Sequence, residues 1–87
     1  MANPEIIDCA KGEWTLVAEG QMTGVIRVLK STAIYHHTYR ISGDDAPADF
    51  SEAKKFKDND DMEIQSEVPV DVYVYCTNTD GVVRVDL

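Results

Sequence analysis

The sequence predicts a small all-β domain, an antiparallel sandwich or barrel of short strands. Apolar and polar residues alternate with a period of two along several segments, which is typical of strands that bury one face. Gly, Asn, Asp and Pro separate these segments at short intervals, as expected for turns. With 87 residues, the chain has the length of one domain, and we expect residues 1–87 to form a single β domain.

The clearest alternation lies in the C-terminal stretch VDVYVYCTNTDGVVRVDL. Its first half places four apolar side chains on one face: Val70, Val72, Val74 and Cys76. After the TNTDG turn, the apolar set is repeated by three further residues: Val83, Val85 and Leu87. Alternation on both sides of an Asp-Gly turn is typical of a β-hairpin. We therefore predict a hairpin from Val70 to Leu87 whose apolar faces lie in the core.

Further strands are predicted upstream of this hairpin. The stretch WTLVAEGQMTGVIRVLK gives two strands, Trp14–Glu19 and Thr23–Lys30, which are joined at Gly20 and Gln21. Ala33–Ile41 forms the next strand, and MEIQS forms a short one before the proline that enters the hairpin. Five to seven short strands are thus expected.

The segment from Asp44 to Asp61 is the most polar and the least regular part of the chain. Asp49 and Glu52 have the spacing of a helix capping box, so a short helical turn around DFSEAKKF is one alternative. Few apolar residues are present to anchor such a helix, and a loop is therefore favoured. The run DNDDME lacks the central glycine and the distal glutamate of an EF-hand, and we interpret it as a solvated acidic loop.

The stretch YHHTYRISGDDAP contains both histidines of the chain, His36 and His37. Adjacent side chains of a strand point to opposite faces, so these two imidazoles are not expected to bind one metal ion. The SGDDAP that follows has the composition of a turn. Glycine-rich phosphate loops, nucleophile elbows and paired-cysteine motifs do not occur in the sequence. We therefore expect no enzyme activity, no cofactor and no metal site.

The charge balance is acidic, with 16 Asp and Glu against 8 Lys and Arg and a formal net charge of −8. The densest basic run, AKKFK, is followed directly by DNDD, so neither nucleic acid nor an anionic membrane is an expected partner. The N-terminal residues lack the pattern of a signal peptide, and synthesis in a cytoplasm is expected. Cys9 and Cys76 are then two buried thiols, with a disulfide as the alternative.

The four tyrosines are the candidate interface residues. Tyr35 and Tyr39 share one face of their predicted strand, while Tyr73 and Tyr75 share the hairpin face opposite the valines. An aromatic ring with a polar tip suits a surface that meets another protein. Packing of these rings between strands of the same sheet is the alternative.

The motifs TYRISGDDAP and DVYVYCTNTDGVVRVDL, together with their spacing, resemble a group of small virion proteins of tailed bacteriophages. The resemblance extends from about Gly12 to Leu87 and consists of strand and turn patterns, so it transfers no functional residue. It implies a β-domain attached to the virus particle. The first expectation is a capsid decoration or cement protein that binds the major capsid protein or another virion protein as a homo-oligomer, with a homotrimer favoured.

A tail, neck or fibre component of the virion is the nearest variant of this expectation. In either case the protein would be made in the host cytoplasm and located in the virion. A small carbohydrate- or protein-binding β-sandwich that uses one or more of the four tyrosines is the alternative from another functional class, and a small enzyme or enzyme inhibitor is the third.

Overall fold

The computed structural model describes residues 5–30, 32–43, 54–55 and 61–86. Within these residues the chain forms one antiparallel sheet with the strand order β1-β6-β2-β5-β3-β4 and no helix. The predicted all-β class is confirmed. The strands are β1 (Glu5–Cys9), β2 (Trp14–Val28), β3 (Tyr35–Ile41), β4 (Lys54–Lys55), β5 (Met62–Cys76) and β6 (Gly81–Asp86).

The two longest strands, β2 and β5, have 15 residues each, and each continues through a site where the sequence predicts a break. β2 passes through Gly20, which has a φ of 65°, and β5 passes through Pro69. The register of the β2–β5 pairing shifts three times along β2: between Leu16 and Ala18, between Ala18 and Gln21, and between Gln21 and Thr23. Because bulges of this kind bend a strand and increase its twist, β2 and β5 continue as bent strands.

The bend brings the first strand towards the end of β5, although β6 and β2 lie between them in the sheet. Cys9 of β1 and Cys76 of β5 are both fully buried in the same core. The backbone N–H of Gly12 donates to the carbonyl oxygen of Cys76 at 3.0 Å. The sheet does not close on itself. The remaining fully buried large side chains are those of Ile26, Ile64, Val72, Val74, Val83 and Val85.

The predicted C-terminal hairpin is wrong, because β5 and β6 are not neighbours in the sheet. β6 pairs with β1 and with the second half of β2 instead. The connection between β5 and β6 bonds to other loops: Asn78 Oδ1 accepts from the N–H of Ile34 at 2.7 Å, and Asp80 Oδ1 accepts from the N–H of Lys11 at 2.8 Å. These side chains of the TNTDG segment anchor the connection to the loops before β2 and β3, and β6 pairs with strands other than β5.

The alternation along β5 and β6 nevertheless predicts most of the core correctly, since Val70, Val72, Val74, Cys76, Val83 and Val85 are all buried. The opposite face of β5 is also covered, because Asp71 and Tyr73 are buried. The second half of β5 is therefore a central strand with both faces enclosed.

Two other differences concern the strands and their boundaries. β1 has no counterpart among the predicted strands, and the third strand begins at Tyr35 rather than at Ala33. The predictions for Asp44 to Asp61 lie outside the described residues, apart from the two residues of β4 and Asp61 itself. Leu87 is likewise outside them.

Candidate interaction surface

Tyr35 is a core residue, with 3% of its surface exposed. Its hydroxyl donates to the carbonyl oxygen of Lys30 at 2.8 Å and accepts from the N–H of Val82 at 3.0 Å. Burial raises the pKa of Tyr35 above its usual value. The phenol therefore connects the segment after β2 to β6, and the ring is enclosed by the chain itself.

Tyr73 and Tyr75 lie on the opposite face of β5 and pack against neighbouring strands. Tyr73 is buried and has Leu16 and Thr38 as its cross-strand partners. The half-buried ring of Tyr75 meets its cross-strand partner Trp14 edge to face, with ring centroids 5.2 Å apart. Aromatic pairs of this geometry stabilise a sheet. The described contacts of Tyr73 and Tyr75 are therefore packing contacts between strands of the same sheet.

Among the four candidate tyrosines, all of which lie in the described residues, Tyr39 is the most exposed, with 40% of its surface open to solvent. Its hydroxyl donates to the carbonyl oxygen of Glu63 at 3.2 Å, and its ring lies edge to face with His37 at a centroid distance of 6.2 Å. Burial of part of the side chain raises the pKa of Tyr39. These contacts fix the ring in one orientation while leaving part of it open to solvent.

The exposed ring of Tyr39 belongs to a larger group of exposed apolar side chains, which we name the bulge patch. Its members come from β2, β3 and β5 and are 40–62% exposed: Met22, Tyr39, Ile41 and Val68. Ile41 pairs with Val70, which in turn pairs with Gln21 next to Met22. The patch thus surrounds the largest interruption of the β2–β5 ladder.

The interruption has a local cause in the sequence of β5. Val70 pairs with Gln21 and Gln65 pairs with Thr23, so the single residue Met22 of β2 lies opposite residues 66–69 of β5. Pro69 has no N–H to give to a ladder. The hydroxyl of Ser66 donates to the carbonyl oxygen of Val68 at 2.7 Å and accepts from its N–H at 3.2 Å. Ser66 thus satisfies both backbone polar groups of Val68, while the carbonyl oxygen of Pro69 accepts from the N–H of Ser42 at 3.1 Å. The side chain of Val68 is exposed.

Asp71 holds the backbone beside the patch in place. Its buried carboxylate accepts from the N–H of Gly20 at 2.9 Å and from the N–H of Gly43 at 3.3 Å. Both glycines have positive φ, 65° and 97°, a conformation that other residues adopt only at a cost. One buried carboxylate thus connects the bulge in β2 to the turn after β3.

A shallow cavity of about 220 Å³ adjoins the patch and is lined by Tyr39, Gln65, Ser66 and Val70. Sites for small organic ligands generally have volumes of about 300–1,000 Å³. The cavity is below this range. The arrangement is therefore better suited to receiving a protruding side chain of another protein than to enclosing a free ligand.

In the part of the chain that the structure describes, no three His, Cys, Asp or Glu side chains are grouped so as to hold a metal ion. His36 and His37 are both half-buried. Burial, followed by the nearby charges of Lys54 and His36, lowers the pKa of His37 below its usual 6.5. His37 is therefore a neutral packing partner of Tyr39 near pH 7.

Of the predicted interface residues, the structure thus places Tyr39 in the bulge patch, Tyr75 half-buried beside Trp14, and Tyr35 and Tyr73 in the interior. Met22, Ile41 and Val68 are the patch residues that the sequence analysis missed. The signal for Val68 is its place between Ser66 and Pro69, where regular pairing ends.

No helix among the described residues is long and apolar enough to cross a membrane. Comparisons of the chain with models of protein families, with curated proteins and with solved structures give no significant match.

Proposed function

We propose that this protein is a structural component of a bacteriophage virion, specifically a capsid decoration or cement protein that binds the shell as a homo-oligomer. The observation that carries the proposal is the bulge patch, four apolar side chains exposed on a small acidic β-domain. Exposed apolar side chains grouped around one feature of a fold are candidates for a surface that a partner covers. The proposed partner is the major capsid protein or another virion protein.

The physical properties of the patch fit a repeated protein contact. Tyr39 is held in one orientation by its hydrogen bond to Glu63 and by His37, so binding would cost little side-chain entropy. The other patch members Ile41 and Val68 offer exposed apolar area without charge. A contact of moderate strength is sufficient for a lattice protein, because many identical copies reinforce one another.

Closed cyclic symmetry is the usual arrangement of identical subunits, and a homotrimer would match the threefold positions of an icosahedral shell. The bent antiparallel sheet is compatible with a fold of the sandwich or barrel type, and among the described residues β1 has a strand neighbour on one side only. With a formal charge of −8, the protein would bind best to a neutral or basic surface of the shell.

A small binding module for carbohydrate or protein is the second candidate function. The half-buried pair of Trp14 and Tyr75 favours it, since aromatic rings at a surface are suited to contacts with the apolar faces of a ligand. In this case the ligand would bind on the opposite face of β5 from Val72 and Val74, and the bulge patch would have no part in binding.

The test has two stages. The solution mass of the purified protein is measured first, and we expect an oligomer, with a trimer favoured. The protein is then mixed with shells of a tailed phage whose genome carries its coding sequence, and co-sedimentation is measured. Shells that lack the protein should rupture at a lower temperature, and adding the protein should restore them. A monomer without affinity for shells or tails would contradict the proposal, and binding to a glycan array would then support the second candidate.

A further inference from the structure

The two cysteines meet at one point of the core, above Gly81. Cys9 is the cross-strand partner of Gly81 in the β1–β6 pair. Side chains that are directly opposite in such a pair have their Cβ atoms about 4.5–5.5 Å apart. A Cβ atom at Gly81 would lie only 2.6 Å from the Sγ atom of Cys76. The Cys76 thiol therefore fills the place beside Cys9 that a side chain at position 81 would occupy.

The backbone around the two cysteines is fixed independently of their side chains. Lys11, two residues after Cys9, forms a parallel bridge with Cys76. The N–H of Gly12 donates to the carbonyl oxygen of Cys76 at 3.0 Å. Each thiol is also among the groups that shift the pKa of the other. Both side chains are fully buried in one cluster, so the two sulfur atoms are held close together.

We propose that Cys9 and Cys76, which are free thiols in this structure, are a latent disulfide site that can connect β1 covalently to β5. The oxidant would be a low-molecular-weight disulfide such as oxidised glutathione. One cysteine thiolate attacks this disulfide, forms a mixed disulfide and releases one small thiol. The second cysteine thiolate attacks the protein sulfur of the mixed disulfide and releases the other small thiol. Two protein thiols thus lose two protons and two electrons, and the small disulfide is reduced.

Burial in the folded core slows oxidation of the two thiols. Burial, followed by the Cys76 thiol and the charge of Asp8, raises the pKa of the Cys9 thiol to about 12. Burial also raises the pKa of Cys76. Because the thiolate is the reactive form, oxidation requires a local opening. β1 lies at the edge of the sheet, so its detachment from β6 exposes Cys9 without unfolding the rest.

The crosslink would join two strands that are distant in the sequence. Long loops closed by a disulfide restrict the unfolded chain most. We expect oxidation to raise the melting temperature by about 10 °C or more for a domain of this size. The proposal concerns the chain itself and is independent of the virion function.

The test begins with purified, fully reduced protein that is incubated with excess oxidised glutathione. The protein is then denatured, its remaining thiols are alkylated, and its intact mass is measured. We expect a monomer that has lost two hydrogen atoms and carries no alkyl group, with Cys9 and Cys76 joined in one pair of peptides. Its melting temperature should exceed that of the reduced protein and return to the reduced value after treatment with dithiothreitol.

Cys9→Ser and Cys76→Ser are the matched controls. Each retains one thiol, so it should accept one glutathione or one alkyl group and show no rise in melting temperature. The wild-type mass measurement decides the matter even where a variant folds poorly. Mixed disulfides or intermolecular dimers as the main products, or a melting temperature that falls on oxidation, would overturn the proposal.

Discussion

The Sγ atom of Cys76 lies 2.6 Å from the point where a side chain at Gly81 would begin. The ring of Tyr35 approaches the same point at 2.5 Å, and both neighbours are buried. Gly81 is therefore required for packing, since no side chain fits between the thiol and the ring.

Gly81→Ala should destabilise the domain by about 3 kcal/mol, because an added methyl group forces a well-packed core apart. Gly12→Ala is the control: Gly12 has a φ of 82° and no atom within 4 Å of its absent side chain, so only backbone strain of about 1 kcal/mol is expected. Urea unfolding measures both. Equal losses of stability in the two variants would show that the contact of the added methyl group with Cys76 and Tyr35 does not cause the destabilisation.

Val74→Asp should unfold the domain, because Val74 is fully buried and an unpaired charge there cannot be solvated. Val68→Asp makes the same chemical change at a position that is 49% exposed, and it should keep the fold. Far-ultraviolet circular dichroism and the melting temperature give the comparison. A Val74→Asp protein with the melting temperature of wild type would contradict the assignment of β5 to the core.

Asp71→Ala should cost about 1–3 kcal/mol, since the N–H groups of Gly20 and Gly43 would both lose a buried acceptor. Asp61→Ala is the matched control. Its carboxylate lies 3.6 Å from Arg27 on an exposed surface, where an ion pair contributes less than about 1 kcal/mol. Urea unfolding should separate the two variants, and similar losses would mean that Asp71 does not hold the turns together.

Stability should fall in mild acid because of His37. Its pKa is lowered in the folded protein from the usual 6.5, so the unfolded chain binds a proton at a higher pH than the folded protein does. The stabilisation that results is fully present above pH 6.5 and is lost as the pH falls below 6.5 towards the folded-state pKa. Melting temperatures measured from about pH 8 to about pH 5 should show the decline.

His37→Gln should weaken this decline, because the glutamine side chain does not titrate. Lys54→Gln should weaken it in part, since the positive charge of Lys54 contributes to the lowered pKa of His37. An unchanged acid dependence in His37→Gln would assign the decline to other groups.

Ile41→Asp should abolish oligomer formation and binding to phage shells while the fold is kept, because Ile41 is the most exposed member of the bulge patch. Leu29→Asp provides the control, since Leu29 is also exposed but follows the far end of β2. Solution mass and co-sedimentation are measured for both variants. If Leu29→Asp alone disrupted assembly, the contact surface would lie elsewhere on the sheet.

The residues of β5 and β6 illustrate what the sequence could predict and what it could not. Alternation correctly predicts that Val72 and Val83 are buried, because a strand with one apolar face must cover it. Alternation carries no information on which strand pairs with which. The choice of neighbour for β6 depends on contacts such as that of Asp80 with Lys11, which join distant parts of the sequence.

The candidate surface shows the same limit. Tyr35 and Tyr39 occupy equivalent positions in the alternation of β3, yet one is in the core and the other is exposed. The difference arises because β6 covers Tyr35: its ring lies beside Gly81 and its hydroxyl bonds to Val82. Tyr39 lies four residues farther along the β3–β5 pair, opposite Val72. Asp71, which stabilises the bulge at Gly20, is 51 positions away in the sequence, so local patterns do not reveal it.

The place of β6 between β1 and β2 has a consequence for synthesis on the ribosome. β1 is translated before the other described strands, but its neighbour in the sheet, β6, is the last of them to be translated. A sheet with so many distant pairings has a high contact order and folds slowly. During translation β1 therefore lacks its native strand partner, and Ile7 and Cys9, which the folded core covers, stay accessible to chaperones until residues 81–86 have left the exit tunnel.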